Sequence, residues 1–193
     1  MKHVSAALAC VAALSSAQVL AQARSFEGFS IGATVDSDRA TISATGGTSD
    51  SGTSTGLGLQ ARYDWALGSN FLLGAGVTAN TGTRKAGNYA NGREASTKDR
   101  YSFDLVPSVA VSDKAQLFFK VSAVSGTAAS SDGSSTASVN GTGYGLGFRG
   151  LINANAFWQI GYDSYKFNDV TFSNGTVSTY KGDNLSLGIG FKF

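Results

Sequence analysis

Beyond residue 28 the chain places large apolar side chains at every second position. The clearest case is Leu185-Ser186-Leu187-Gly188-Ile189-Gly190-Phe191-Lys192-Phe193, where odd positions are apolar and even ones are small or charged. A strict period of two gathers the large groups on one face of a β-strand. The same alternation predicts seven earlier strands, at about 29–35, 57–65, 71–79, 100–111, 117–123, 144–152 and 157–164. Three connections are tight (66–70, 112–115, 153–156). Four are long and polar (36–55, 80–99, 125–143, 165–184), and they alternate with the tight ones. Short turns at one end and long loops at the other are what a membrane-spanning barrel requires. A soluble β-sandwich does not explain that alternation. The expected fold is all-β, an eight-stranded antiparallel up-and-down transmembrane β-barrel with four long surface loops and three short periplasmic turns.

The alternation also sorts residues by face. Leu57, Leu59, Ala61, Tyr63 and Trp65 are expected to touch lipid, while Gly58, Gln60, Arg62 and Asp64 point inward. Trp65, Phe71 and Trp158 fall near the short-turn end, and Tyr101 and Tyr144 near the loop end. This is the placement of two aromatic girdles at the headgroup levels. Leu72, Val106, Phe118 and Leu151 fall on the inner face, so either the lumen is partly apolar or the register slips there. Pro107 lies inside the fourth strand and lacks a ladder donor, which predicts a bulge or an early strand end.

The first 23 residues read as a separate unit. Lys2 and His3 give a basic start, 4–14 is a short apolar run, and Ala21-Gln22-Ala23 is an A-x-A cleavage sequence. The run is too short to span a bilayer as a helix, which takes about 20 apolar residues. The expected domains are a signal peptide over 1–23, cleaved at Ala21 and Ala23, and a barrel over 24–193. Cleavage there removes Cys10 and His3, the chain's one cysteine and one histidine. It leaves 14 basic and 13 acidic residues, which is no basic footprint for nucleic acid.

The signal segment, the Gly-rich alternating strands and the terminal Leu-x-Leu-Gly-Ile-Gly-Phe-Lys-Phe resemble small bacterial outer-membrane β-barrel proteins of the OmpX, OmpA-barrel and opacity type. The resemblance covers 24–193. It implies residence in the bacterial outer membrane and contact with its lipid and lipopolysaccharide. It also implies a terminal strand read by the barrel-insertion machinery through Leu185, Leu187, Ile189, Phe191 and Phe193. The second, peptidoglycan-binding domain of the OmpA type is not expected here.

A barrel of about eight strands is only wide enough inside for side chains. Inward Arg62, Asp64, Arg100, Asp104, Lys120, Arg149 and Asp163, with Lys192 a further candidate, are of mixed sign. They are expected to pair into a polar plug, because a lone desolvated charge is costly. The alternative is a narrow ion pathway lined by the same groups. Lipases, acyltransferases and proteases of this membrane use an imidazole near neutral pH, and the processed chain would have none. A Ser-Lys or carboxylate mechanism stays open, but no catalytic residue is singled out, and no cofactor or metal is expected. Asp36 and Asp38 read as a solvated turn, with a hard-cation site as the alternative. Gly145-x-Gly147-x-x-Gly150 lies inside a strand with no helix after it, so it is not a dinucleotide fingerprint. Arg84, Lys85, Arg93 and Lys98 sit in the second loop, which reads as solvated, with contact to anionic lipopolysaccharide as the alternative. Loop 125–143 is Ser/Gly/Ala-rich and expected to be mobile. The expected function is non-catalytic: a structural or surface-interaction role through loops whose ligand is unknown. A narrow channel or small-solute carrier, and then a lipid-modifying enzyme, are the alternatives.

Overall fold

The computed structural model describes residues 22–44, 48–88, 92–130, 136–171 and 177–193. Eight long strands close into an antiparallel ring: β1 (Gly28–Ala44), β2 (Thr48–Ala66), β3 (Phe71–Asn80), β5 (Glu94–Ser112), β6 (Ala115–Ser130), β7 (Thr136–Leu151), β8 (Ala156–Phe167) and β10 (Val177–Lys192). Two short strands, β4 (Arg84–Asn88) and β9 (Val170–Thr171), are added at the far end. Each strand pairs with its sequence neighbour in the ring, and β1 closes on β10 from Ser30↔Lys192 to Ala44↔Ser178. The 66–70, 112–115 and 153–156 connections are short, as their sequences predict.

An apolar belt covers the outside. Val35, Leu57, Phe103, Leu105, Phe119, Leu146, Ile160 and Leu187 are all exposed, because alternate side chains on every strand point away from a narrow interior. Trp65, Phe71 and Trp158 stand at one rim of the belt and Tyr101 and Tyr144 at the other, all exposed. On the terminal strand Leu185, Leu187, Ile189, Phe191 and Phe193 all face outward.

Pro107 neither ends its strand nor creates a bulge. It pairs with Leu73 of β3, and the β5–β6 pairing lapses over Val106 and Pro107 before resuming in the same register at Ser108↔Phe118. The missing donor therefore costs one local interruption. The irregularities of this strand fall elsewhere, between Lys98 and Tyr101, where Asp99 has φ of 50°, and between Ala110 and Ser112. The inward apolar residues need no register slip. Leu72 and Val106 are buried, and Leu151 packs on the cluster that contains Leu72.

The four long connections are largely strand. A membrane crossing takes about 9–11 residues, yet β1 has 17, β2 and β5 have 19, and β6, β7 and β10 have 16. Residues 125–130 and 136–143, expected to be mobile, lie in the β6–β7 ladder; 131–135 fall outside the described residues. In this extension the ring splits. The β2–β3 ladder stops at Gly58↔Asn80, and β4 pairs with β5 alone. The β7–β8 ladder stops at Gly141↔Phe167, and β9 pairs with β10. Two sheets result, β9-β10-β1-β2 and β4-β5-β6-β7. Between them lies a core of Ala40, Ile42, Val170 and Tyr180 on one side and Ala86, Ala95, Val124, Ala128 and Val139 on the other, completed by Tyr165 and Phe167. The extension is a small apolar-cored cap on top of the barrel.

Candidate functional site

The interior is built in layers from the short-turn end upward. Ala23 lies in a 3-10 turn (Ala23–Ser25) whose N–H bonds the Ser69 carbonyl at 2.8 Å. That turn carries Phe26 into the barrel mouth, where it packs with Leu72 and Ala110, and Ala66 and Leu151 abut the cluster. Gln22 and Ala23 are buried as well.

Above this stopper Asp64 is shared by two guanidinium groups, Arg62 at 2.8 Å and Arg149 at 3.6 Å. The remaining donors find amides. Arg62 donates to Gln116 at 3.2 Å and Arg149 to Gln159 at 2.9 Å; Gln116 then donates to Ser108, and Gln159 to Gln60. Arg149 lies 4.0 Å from the Phe157 ring centroid and Arg62 lies 5.5 Å from that of Phe118. The strands β2, β7 and β8 hold these groups in fixed register, and their burial makes each bond matter more than it would in water.

In the middle, Lys120 pairs with Asp163 at 2.9 Å across β7. Gly145 lies between them in the ladder, and a Cβ there would collide with the Asp163 carboxylate. Asp104 accepts from Thr78 at 2.7 Å and Ser122 at 2.6 Å. Lys120, Asp163, Asp104, Thr78 and Ser122, with Asp36, Arg62 and Arg100, line a cavity of about 70 Å³, which is large and polar enough to hold water.

The uppermost layer joins β1 to β4 and β5. Arg84 reaches Asp36 at 3.3 Å and Asp38 at 3.0 Å, and Arg100 reaches Asp38 at 2.8 Å. Asn80 and Thr34 also donate to Asp36, and Tyr165 donates to Asp38 at 3.3 Å while its ring lies 4.6 Å from Arg100. This layer corrects two sequence expectations. Asp36 and Asp38 are neither a solvated turn nor a cation site; both are buried against arginines. Arg84 is not a solvated loop residue. It is buried because β4 folds against β1 and β2 over Gly56, where a Cβ would meet its guanidinium.

The structure therefore brings the sequence-singled Arg62, Asp64 and Arg149 into one cluster and Lys120, Asp163 and Asp104 around one cavity. It places Arg100 in a third group with Asp36, Asp38 and Arg84. Lys192 stands apart, donating to the Glu27 carbonyl at 3.1 Å. Among the described residues five cations (Arg62, Arg84, Arg100, Lys120, Arg149) meet five carboxylates (Asp36, Asp38, Asp64, Asp104, Asp163) in the interior, so these charges balance. The amides Gln116, Gln159 and Asn80 were missed by reading for charge alone, and Gln60, expected to point inward, was given no partner. Their inward phase in the alternation was the available signal. Among the described residues no group of three His, Cys, Asp or Glu side chains is placed to hold a metal.

Comparison with known proteins adds a family and a fold. Residues 6–193 match the family model described as the outer membrane protein beta-barrel domain. Among solved structures, Ail, the attachment invasion locus protein of Yersinia pestis, is similar with 15% identity and a TM-score of 0.54 in its complex with the heparin analogue sucrose octasulfate, over 86% of this chain and 99% of that one. Neisserial surface protein A is similar with 16% identity and a TM-score of 0.51, over 86% of this chain and all of that one. No curated protein sequence matches the chain.

Proposed function

The chain belongs to the outer-membrane β-barrel family, and from that premise we propose that it is a closed, non-conducting and non-catalytic barrel that presents its β-cap at the cell surface as an interaction platform. The observation that carries this reading is closure in series. The apolar stopper at Phe26, the charge layers and the apolar core of the cap each fill the lumen at a different height. A permeant ion would have to cross a dry core at the outer end, where no side chain replaces its hydration. The outer wall of the cap suits contact with a partner. Thr41, Ser43 and Ser51 of β1 and β2, beyond the outward Arg39, face outward on a paired, rigid sheet rich in hydroxyls.

Under the same reading residues 1–23 are a cleaved leader ending at Ala21-Gln22-Ala23, and the termini and short turns face the periplasm. The outward Leu185, Leu187, Ile189, Phe191 and Phe193 are the row offered to the insertion machinery. The lumen charges serve rigidity rather than transport.

Planar-bilayer recording tests this, after heat-dependent gel mobility has verified folding. A silent bilayer is the expected result. Steady, charge-selective unitary currents altered by Lys120→Ala or Arg149→Ala would overturn the closed-lumen reading and make the protein a narrow channel. Turnover of labelled lipid by the pure protein would overturn the non-catalytic part.

A further inference from the structure

On β8, β10 and β1 the apolar belt ends at Tyr162, Leu185 and Val35, all exposed. Four residues further out on the same outward faces stand Lys166, Lys181 and Arg39, also exposed. Lys166 and Lys181 are direct partners across the β8–β10 ladder. Lys181 faces Thr41 across β10–β1, one outward step beyond the Arg39↔Asp183 pair, so Arg39 is its diagonal neighbour. Directly opposed like charges destabilise a sheet. Here the ladder holds two such ammonium groups about 5 Å apart at Cβ, with a guanidinium within about 8 Å.

One carboxylate stands within the group: Asp183 lies directly across the β10–β1 ladder from Arg39 and accepts the Tyr162 hydroxyl, so three cations share one adjacent anion and an excess of positive charge remains; Asp169 accepts from Thr179. Among the described residues none of the three cations forms an ion pair, whereas Lys85 pairs with Glu94. Hydroxyls flank the row, Thr142 beside Lys166 and Thr41 beside Lys181. At the corresponding outward positions β2 carries Thr53 and β7 Asn140, so the cluster marks one side of the barrel.

Height indicates the occupant. Four residues at about 3.3 Å each, on strands tilted by roughly 40°, put these backbones about 10 Å above the last apolar side chain. Long basic stems reach down from there toward the headgroups while their own methylenes stay on the wall. We propose that Arg39, Lys166 and Lys181 form a site for the phosphate of an anionic outer-leaflet lipid headgroup, lying against the outer wall where β8, β10 and β1 meet. The counter-charge that Asp183 alone does not supply to three cations comes from the leaflet itself. The site relies on the outer-membrane orientation and is independent of whether the lumen conducts.

The test titrates the folded full chain, in detergent micelles, with bis-phosphorylated lipid A and with its dephosphorylated form. Native mass spectrometry reads the bound lipid. One lipid A should bind at least about tenfold more tightly than the dephosphorylated form. The triple variant Arg39→Gln, Lys166→Gln, Lys181→Gln should abolish that difference. Lys98→Gln, on β5 at the opposite side of the ring, should keep it. If the triple variant fails the heat-mobility check for folding, Lys166→Gln alone decides, with a weakening of about threefold expected. Lipid A binding to the triple variant as to the parent overturns the site, and so does equal binding of the dephosphorylated lipid. Displacement of lipid A by millimolar inorganic phosphate or by a soluble sulfated saccharide overturns it too, by making it a site for free anions. Bilayer conductance is read separately, so failure here leaves the closed-lumen reading standing.

Discussion

Asp64 illustrates how much one inward carboxylate carries. It is fully buried, and two arginines on different strands depend on it. Asp64→Asn removes the anion and leaves Arg62 and Arg149 facing each other without a counter-charge. Breaking a buried pair in this way costs about 3–5 kcal/mol. The unfolding midpoint in urea of the vesicle-inserted protein should fall accordingly, whereas Lys98→Gln, on the exposed wall, should leave it nearly unchanged. Asp50 is the opposite case, a solvent-exposed carboxylate at the outer end of β2. The Asn88 backbone N–H donates to it at 2.7 Å and the Asn88 side-chain amide at 2.9 Å. The backbone donors of Asn88 and Ser51, then the Asn88 amide, hold its pKa below the ordinary 3.8. A depressed carboxylate pKa means the contact is fully present above the unfolded value and is lost as pH falls through the folded one. Amide exchange at Asn88 should therefore stay slow down to pH values just below the usual aspartate range and then accelerate. In Asp50→Asn it should show no such step. Persistence of the step in that variant would assign it to another group.

At the scale of elements, β4 is held to β2 by side chains where a ladder would be expected. Ser54 accepts from the Lys85 N–H at 2.9 Å, and Asp50 accepts from Asn88. Gly52 makes the approach possible, because a Cβ there would lie 2.6 Å from Lys85 Cγ and 2.8 Å from its carbonyl oxygen. Gly52→Val should push β4 off the wall, so limited trypsin should cut at Arg84 or Lys85 while the membrane-embedded barrel keeps its heat-dependent mobility. An uncut variant would show that the β4–β5 ladder and the Arg84 ion pairs hold β4 without this contact. The same element shows where the sequence was legible and where it was not. The belt could be read because Leu57, Leu59, Tyr63 and their like alternate with small or polar inward residues. The cap escaped notice because its alternation continues with the phase inverted. On β8 the large residues face out through Trp158, Ile160 and Tyr162, then in at Tyr165 and Phe167. On β1 they face out through Val35, then in at Ala40 and Ile42. Above the lipid, water replaces hydrocarbon outside, so the apolar face must turn inward. A search for one constant phase reads that inversion as the end of a strand. Asp36, Asp38 and Arg84 were lost with it, since charged residues at the crossover look like a solvated loop until their partners are seen.

For the molecule as a whole, closure is redundant, and redundancy has a measurable signature. The stopper at the periplasmic mouth, the Asp64 layer, the Asp38 layer and the cap core lie one above another, and each draws on several elements. Stability and impermeability should therefore separate under mutation. Phe26→Ala combined with Leu72→Ala empties the stopper. Each removed side chain is buried, and large-to-small changes of this kind cost about 2–5 kcal/mol apiece. The barrel should unfold at clearly lower urea concentration, and cleavage within 24–26 by periplasmic-side protease should increase as the turn loosens. The bilayer should nonetheless stay silent, because an entering ion still meets Arg62 and Arg149 clamped on Asp64, and beyond them an apolar core without polar ligands. A variant that is destabilised yet silent places the permeation barrier in the charge layers and cap. A variant that conducts would make the Phe26 turn the gate, and the charge layers would then line a path that the turn normally blocks.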